Sequence, residues 1–174
     1  VGKTTTAVSL AGVLHNRHAR VLLVDLDPHG SLTSYFGADP DNIEQSGYDL
    51  FLQTHEVHAV IRKTKFENLD FIPASSALAT LDRQLGAKGG MGLVIKKALE
   101  QVSDEYDYAL LDCPPMLGLL MVNALAACER LLIPVQTEFL ALKGLERMVH
   151  TLDMIQKSRK QSITQTIVPT FFDQ

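Results

Sequence analysis

Five short apolar runs punctuate this chain, and segments with helical periodicity lie between them. The runs are "RVLLVDLD" (20–27), "LDFIPAS" (69–75), "YDYALLDCPP" (106–115), "RLLIPVQ" (130–136) and "ITQTIVPTFF" (163–172). They are continuous rather than alternating, the pattern of strands covered on both faces. Residues 4–17 place Ala7, Leu10, Ala11 and Leu14 on one helical face. Residues 89–104 place Leu93, Val94, Lys97 and Val102 near one stripe, with Lys96, Glu100 and Asp104 outside it. Residues 117–127 are nearly all apolar, and 140–158 carry Leu142, Leu145, Met148, Val149, Leu152 and Ile155 at helical spacing. This alternation dictates an α/β fold, a mostly parallel sheet with helices on both faces. Residues 38–68 are polar and less periodic, so short helices and an edge strand at 59–64 are expected there.

The 174 residues suffice for one buried core and fall short of two. One domain, 1–174, is the simplest parse. The chain opens on Val rather than Met and closes in what reads as a loop, so both ends are expected to be cut. The net charge of −4 excludes nucleic-acid binding by bulk charge and leaves only a local basic patch. "RKTK" (62–65) and "KSRK" (157–160) are short basic runs; a solvated surface accounts for them, and a contribution to a DNA-binding face is the alternative. Cys113 and Cys128 have neither metal-ligand spacing nor a disulfide framework, which points to a reduced, cytoplasmic setting. No apolar run reaches the ~18 residues that span a bilayer.

The chain begins "VGKTTTAVSLAG". In a phosphate-binding loop a glycine-rich turn leads into a helix whose backbone N–H groups cradle phosphates. A lysine reaches the β/γ-phosphates and a Ser/Thr hydroxyl binds Mg²⁺. Gly2, Lys3 and Thr4 fit the end of such a loop, followed by Thr5. "GKT" alone also fits a helix start at which Thr4 to Thr6 are N-terminal hydroxyls. Acids elsewhere weigh against that simpler reading. Asp112 ends an apolar strand, where a second Mg²⁺ partner belongs, and Asp25 and Asp27 end the strand after the first helix. Two residues apart on a strand, their side chains would share a face. Open α/β sheets bind ligands at the C-terminal ends of their strands.

The order of these motifs resembles the ParA/MinD family of P-loop ATPases. "VGKTTTAVSLAG" is similar to the end of that family's deviant Walker A loop, KGGxGKT[ST]. "RVLLVDLDPHGSLTSYFG" resembles its switch I segment, whose commonest form is DxDPQGN, and "YDYALLDCPP" its Walker B segment and switch II. "RLLIPVQTEFLALKGLERM" resembles the next strand and helix, and "IVPTFFD" the strand leading to the adenine. "DLDPHGSLTSYFG" with "FLALKGLERM" is most similar to ParA-like proteins encoded beside chemotaxis genes. The resemblance implies ATP and Mg²⁺ as cofactors. It implies that Lys3 contacts the β/γ-phosphates, Thr4 binds Mg²⁺ and Thr5 contacts the α-phosphate. Asp27 would orient the hydrolytic water, Asp25 and Asp112 would hold Mg²⁺ largely through its waters, and Pro169 and Phe171 would pack near the adenine.

The family reading further implies slow ATP hydrolysis by a homodimer formed with ATP. The partners would be non-specific DNA, through residues mostly outside this sequence, and an activating protein, with plasmid, chromosome or chemoreceptor array as cargo. The setting would be cytoplasmic, at the nucleoid if DNA is bound. A metabolic ligase or amidase of the cobyrinate or dethiobiotin synthase type is the alternative, and a MinD-like membrane binder would need a C-terminal amphipathic helix. Three departures stand out, one being that the arginines relatives use for DNA binding would mostly lie beyond Gln174. His29 occupies the place of the family's Gln, and the signature lysine would precede Val1. A chain lacking that part is expected to bind ATP poorly. The cysteines of a family cousin, the nitrogenase iron protein, do not match Cys113 and Cys128, so no iron–sulfur cluster is expected. His15, His18, His55, His58 and His150 are scattered and form no metal pattern.

Overall fold

The computed structural model describes residues 2–136, 143–146, 148–150, 152–153 and 162–170. They fall into two compact units, one of residues 7–127 and one of residues 1–6 with 128–174.

The larger unit is built around β1 (Val21–Asp25), which pairs in parallel with β3 (Leu69–Ile72) on one side and β4 (Tyr108–Asp112) on the other. A two-residue antiparallel strand, β2 (Arg62–Lys63), closes the far edge of β3. Val21, Leu22, Leu23 and Val24 are all fully buried. Their side chains alternate between two cores, as strand geometry requires. Leu22 and Val24 join Phe51, Val60, Ile72, Ile95 and Ala124 in one cluster. Val21 and Leu23 join Ala11, Leu32, Leu69 and Phe71 in the other. On that second face lie Ala7, Val8, Ala11 and Leu14 of helix α1 (Lys3–His15). The first face takes residues of α3 (Gly47–Leu52), α4 (Val57–Val60), α6 (Val94–Gln101) and α7 (Leu119–Ala127). Two five-residue helices complete the unit, α2 (Ser31–Tyr35) and α5 (Leu81–Leu85). The mixed α/β fold, mostly parallel and covered on both faces of β1, is the one the sequence pattern predicts.

The strands are shorter than the apolar runs. β3 stops at Ile72 because Pro73 has no N–H to continue a ladder, and β4 stops just before Cys113 and two prolines. The first two residues of the expected edge strand 59–64 are taken by the end of α4, and the strand itself is Arg62–Lys63. The stripe expected over 89–104 is corrected. A 3₁₀ turn (Met91–Leu93) precedes α6, so the inward residues are Ile95, Ala98 and Val102, while Leu93 is 46% exposed and Lys97 faces solvent. Gly90, at φ +84°, delays the helix start and rotates its register.

The apolar segment 117–127 hides one polar staple. Asn123 is fully buried in α7. Its Nδ2 donates to the carbonyls of Met91 (2.8 Å) and Leu119 (2.9 Å), and its Oδ1 accepts from Ile95 N (3.2 Å). Two of these bonds, to Met91 and Ile95, fix the entrance of α6 against α7, and the third stays within α7.

In the smaller unit, β5 (Arg130–Gln136) pairs in parallel with β6 (Thr164–Thr170). The described residues of the expected helix 140–158 are helical. Hydrogen bonding thus sorts the six described strands into a four-stranded and a two-stranded sheet. Apolar runs report burial, not pairing, so the sequence could not make this division.

Asn123→Ala leaves buried backbone groups without partners and is expected to cost about 2–3 kcal/mol. Urea denaturation checks this, with exposed Lys96→Ala as the control that stays within about 0.5 kcal/mol.

Candidate functional site

Parallel pairing sets Asp25 at the end of β1 directly beside Asp112 at the end of β4. Asp25 has no exposed surface and Asp112 almost none. Asp25 Oδ2 accepts from Thr33 N (2.9 Å) and Thr33 Oγ1 (2.7 Å), and its Oδ1 accepts from Asp27 N (3.1 Å). Thr33 Oγ1 in turn accepts from Ala74 N at 2.8 Å. One carboxylate therefore ties the end of β1 to the start of α2 and to the loop after β3.

Burial pushes the Asp25 carboxyl up to about 6, against the pull of those hydrogen bonds, and the neighbouring Asp112 adds to the rise. A carboxyl held out of water beside a second acid resists ionising, and a nearby cation eases that cost. Hard carboxylate oxygens are the donors a divalent ion such as Mg²⁺ takes. Among the described residues, no group of three or more His, Cys, Asp and Glu could hold a metal by itself. An ion held by these two carboxylates would have to keep several waters, as Mg²⁺ does.

Asp27 lies beyond the strand, which corrects the expectation that strand alternation aligns it with Asp25. It opens a tight turn in which Gly30 N donates to Asp27 O at 2.8 Å. Gly30 sits at φ +61°, and a Cβ there would fall 2.2 Å from Pro40 Cγ, so only glycine fits. Asp27 Oδ1 accepts from His29 N (3.0 Å) and lies 2.9 Å from His29 Nδ1.

The loop after Asp112 is pinned by a residue that the sequence did not mark. Asp82 of α5 accepts from Leu119 N at 2.7 Å and so caps α7. A Cβ on Gly118 would lie 2.4 Å from Asp82 Oδ2. Between these anchors the tip of the loop is open, with Met116 75% exposed. Asp82, 37 residues away from its partner, belongs to no motif; Thr33 lies within the segment that resembles switch I, but nothing in that resemblance marked it as the partner of Asp25. Cys113 and Cys128 form no disulfide, and Cys113 packs against the larger core.

In the smaller unit, Gly2 at φ +85° leads into α1. Thr6 N and Thr6 Oγ1 both donate to Gly2 O, at 2.9 and 2.7 Å. The Thr6 hydroxyl is turned back onto a carbonyl and caps no N–H, unlike in the simple helix-start reading. Lys3 and Thr4 are half-buried and Thr5 is exposed. No acidic side chain sits in the first turn of α1 to offset its positive end. Pro169 lies in β6. Phe171 and "KSRK" lie outside the described residues.

A cavity of about 510 Å³ lies at the opposite, N-terminal ends of the strands, lined by Arg20, Lys63, Phe66, Asp70 and Tyr106 among others. Its buried acid, Asp70, is already held by Lys63 Nζ and Tyr106 Oη, each at 2.7 Å. Arg20 is likewise engaged by Asp107.

The family described as an AAA domain matches residues 1–165. The sporulation initiation inhibitor protein Soj of Bacillus subtilis is 45% identical over 90% of this chain and 62% of its own length. The chain thus spans about three-fifths of that relative. Cobyrinic acid a,c-diamide synthase of Mycobacterium smegmatis, solved with an ATP analogue and magnesium, superposes with a TM-score of 0.91 at 34% identity. That match covers 99% of this chain and 70% of the other. A variant of McdA from Cyanothece, solved in complex with ATP, gives a TM-score of 0.87 at 25% identity over 97% of this chain and 65% of its own.

Two outcomes follow. The stabilising effect of neutral Asp25 is fully present below the ordinary value of 3.8 and is lost as pH rises through about 6. In metal-free buffer that span is worth about 3 kcal/mol at most, so the stability of the wild type should fall relative to Asp25→Asn from about pH 4 to about pH 6.5. A difference that stays flat in urea titrations would contradict the buried, raised acid. Gly118→Ala should push the Asp82 carboxylate off Leu119 N and cost about 1 kcal/mol through the lost cap, and Gly37→Ala, at φ +81° with open space around it, should cost about 1–2 kcal/mol through backbone strain alone.

Proposed function

The chain belongs to the ParA/MinD family of P-loop ATPases, and from that premise we propose that it binds Mg·ATP, hydrolyses it slowly, and uses the cycle to position or partition cargo. The observation that carries this reading is the register of Asp25 and Asp112. Two buried acids end adjacent parallel strands, with Asp27 in the following turn. An acid pair so placed has a use for a cation, and a nucleotide brings one.

The assigned roles follow the family's motif. Lys3 contacts the β/γ-phosphates, Gly2 and Thr5 line the phosphates, and Thr4 with Asp25 and Asp112 holds Mg²⁺, the two acids through its waters. The ion would supply charge neutralisation at the phosphates. Asp27 aligns the attacking water, since phosphoryl transfer asks for positioning more than for a strong base. Phosphoryl transfer to water then depends on positioning and electrostatics, with no covalent step. Pro169 and Phe171 pack near the adenine.

The working form is an ATP-dependent homodimer in one domain that includes residues 1–174, acting in the cytoplasm with an activating protein and non-specific DNA. The exposed apolar tip at Met116 and Leu117, beside the end of β4, supports a role for that loop in association. No helix among the described residues is long and apolar enough to cross a membrane.

A second reading, a ligase that uses ATP to activate a small carboxylate, is favoured by the likeness to cobyrinic acid a,c-diamide synthase. Phosphate release that needs a polycarboxylate substrate and ignores DNA would select it. For the partition reading, Asp27→Ala in the full-length protein should keep ATP-dependent dimerisation, read by light scattering, and lose hydrolysis by about 100-fold or more. Normal turnover by that variant would remove Asp27 from its role.

A further inference from the structure

Among the described residues, the Asp27 carboxylate is held through Oδ1 only. Its Oδ1 accepts from the backbone N of His29 at 3.0 Å and meets the ring Nδ1 of the same residue at 2.9 Å. An ionised carboxylate can only accept, so Nδ1 carries the proton and donates. The backbone beneath the pair is fixed. Asp27 N is anchored on Asp25 Oδ1, Gly30 N closes the turn on Asp27 O, and Gly30 is packed against Pro40. What stays free in an aspartate so anchored is rotation about χ2, a broad, roughly two-fold torsion. The imidazole opposes that rotation by engaging the same oxygen as the backbone does. The ring itself is 83% exposed and the carboxylate 13%. A pair so open to water adds little stability, so its effect is on orientation. With Oδ1 holding two donors, Oδ2 is the oxygen left for another partner.

We propose that His29 is a positioning residue for hydrolysis: its Nδ1–H fixes the plane of the Asp27 carboxylate and leaves Oδ2 to take the attacking water. This rests on the reading of Asp27 given above. The residue type matters through reach. An asparagine amide nitrogen stands where Nδ1 stands, one atom beyond Cγ. A glutamine amide lies one bond further out, near the place of Nε2, and cannot donate to Oδ1 in the same way. This chain therefore orients its acid by a contact that the Gln-bearing form of the motif would not make.

The test uses the full-length protein with His29→Ala, His29→Asn and His29→Gln. It measures single-turnover hydrolysis at saturating Mg·ATP, affinity for a non-hydrolysable ATP analogue, and thermal stability. His29→Ala should slow hydrolysis by about tenfold, with affinity and melting temperature essentially unchanged. His29→Asn should recover to within about threefold of wild type, and His29→Gln should stay near the alanine rate. In the Asp27→Ala background, His29→Ala should have no further effect, because the group it positions is gone. Wild-type rates in His29→Ala, or recovery by Gln equal to that by Asn, would overturn the proposal. If Asp27→Ala itself hydrolyses normally, the underlying reading falls and takes this one with it. If Asp27→Ala is inactive while His29→Ala is not slowed, only the role of His29 falls.

Discussion

The end of β1 is the constraint on which the larger unit turns. Four consecutive apolar residues are buried there without remainder, and the fifth is an acid in the same position. An acid in such a place must find donors, and the chain supplies them from three segments: Thr33, Asp27 and, through the Thr33 hydroxyl, Ala74. The start of α2, the turn after β1 and the loop after β3 are thereby folded around one carboxylate. Even so, burial outweighs the hydrogen bonds, and the acid remains harder to ionise than in water. Parallel register then adds a second acid, Asp112, at the same level.

Burial and the neighbouring Asp112 disfavour the charged form of Asp25, and on the proposed reading a cation bound beside the two acids would favour it. The neighbouring segments divide the work. The turn at Asp27 is held by backbone geometry that only glycine at position 30 permits. The loop after Asp112 is held at its far end by Asp82 and left open at its apolar tip. Rigid anchors with a free tip between them suit a segment that must respond to what occupies the site.

Much of this was legible in the sequence. Continuous apolar runs ending in acids located β1 and β4, and the position of Asp25 and Asp112 at their ends needed no coordinates. The limits were physical. Periodicity from Leu93 misjudged α6, because a glycine pair delays the helix and shifts its face by a fraction of a turn. Strand alternation was extended to Asp27, although β1 ends two residues earlier. Asn123, Thr33 and Asp82 act through partners that are distant in sequence or buried, and a polar residue in an apolar segment does not announce what it bonds to. The pairing of β5 with β6, apart from the other four strands, is likewise a matter of hydrogen bonds rather than of composition.

The central claim is that the Asp25–Asp112 pair is the protein's contribution to a Mg·ATP site. The most direct measurement is calorimetric: the affinity of the full-length protein for ATP with Mg²⁺ and with a chelator, for wild type and for Asp112→Asn. Wild type should gain affinity from Mg²⁺ by about tenfold or more, and the variant should lose most of that gain while keeping its chelator-state affinity. A variant that keeps the full gain from Mg²⁺ would contradict the account.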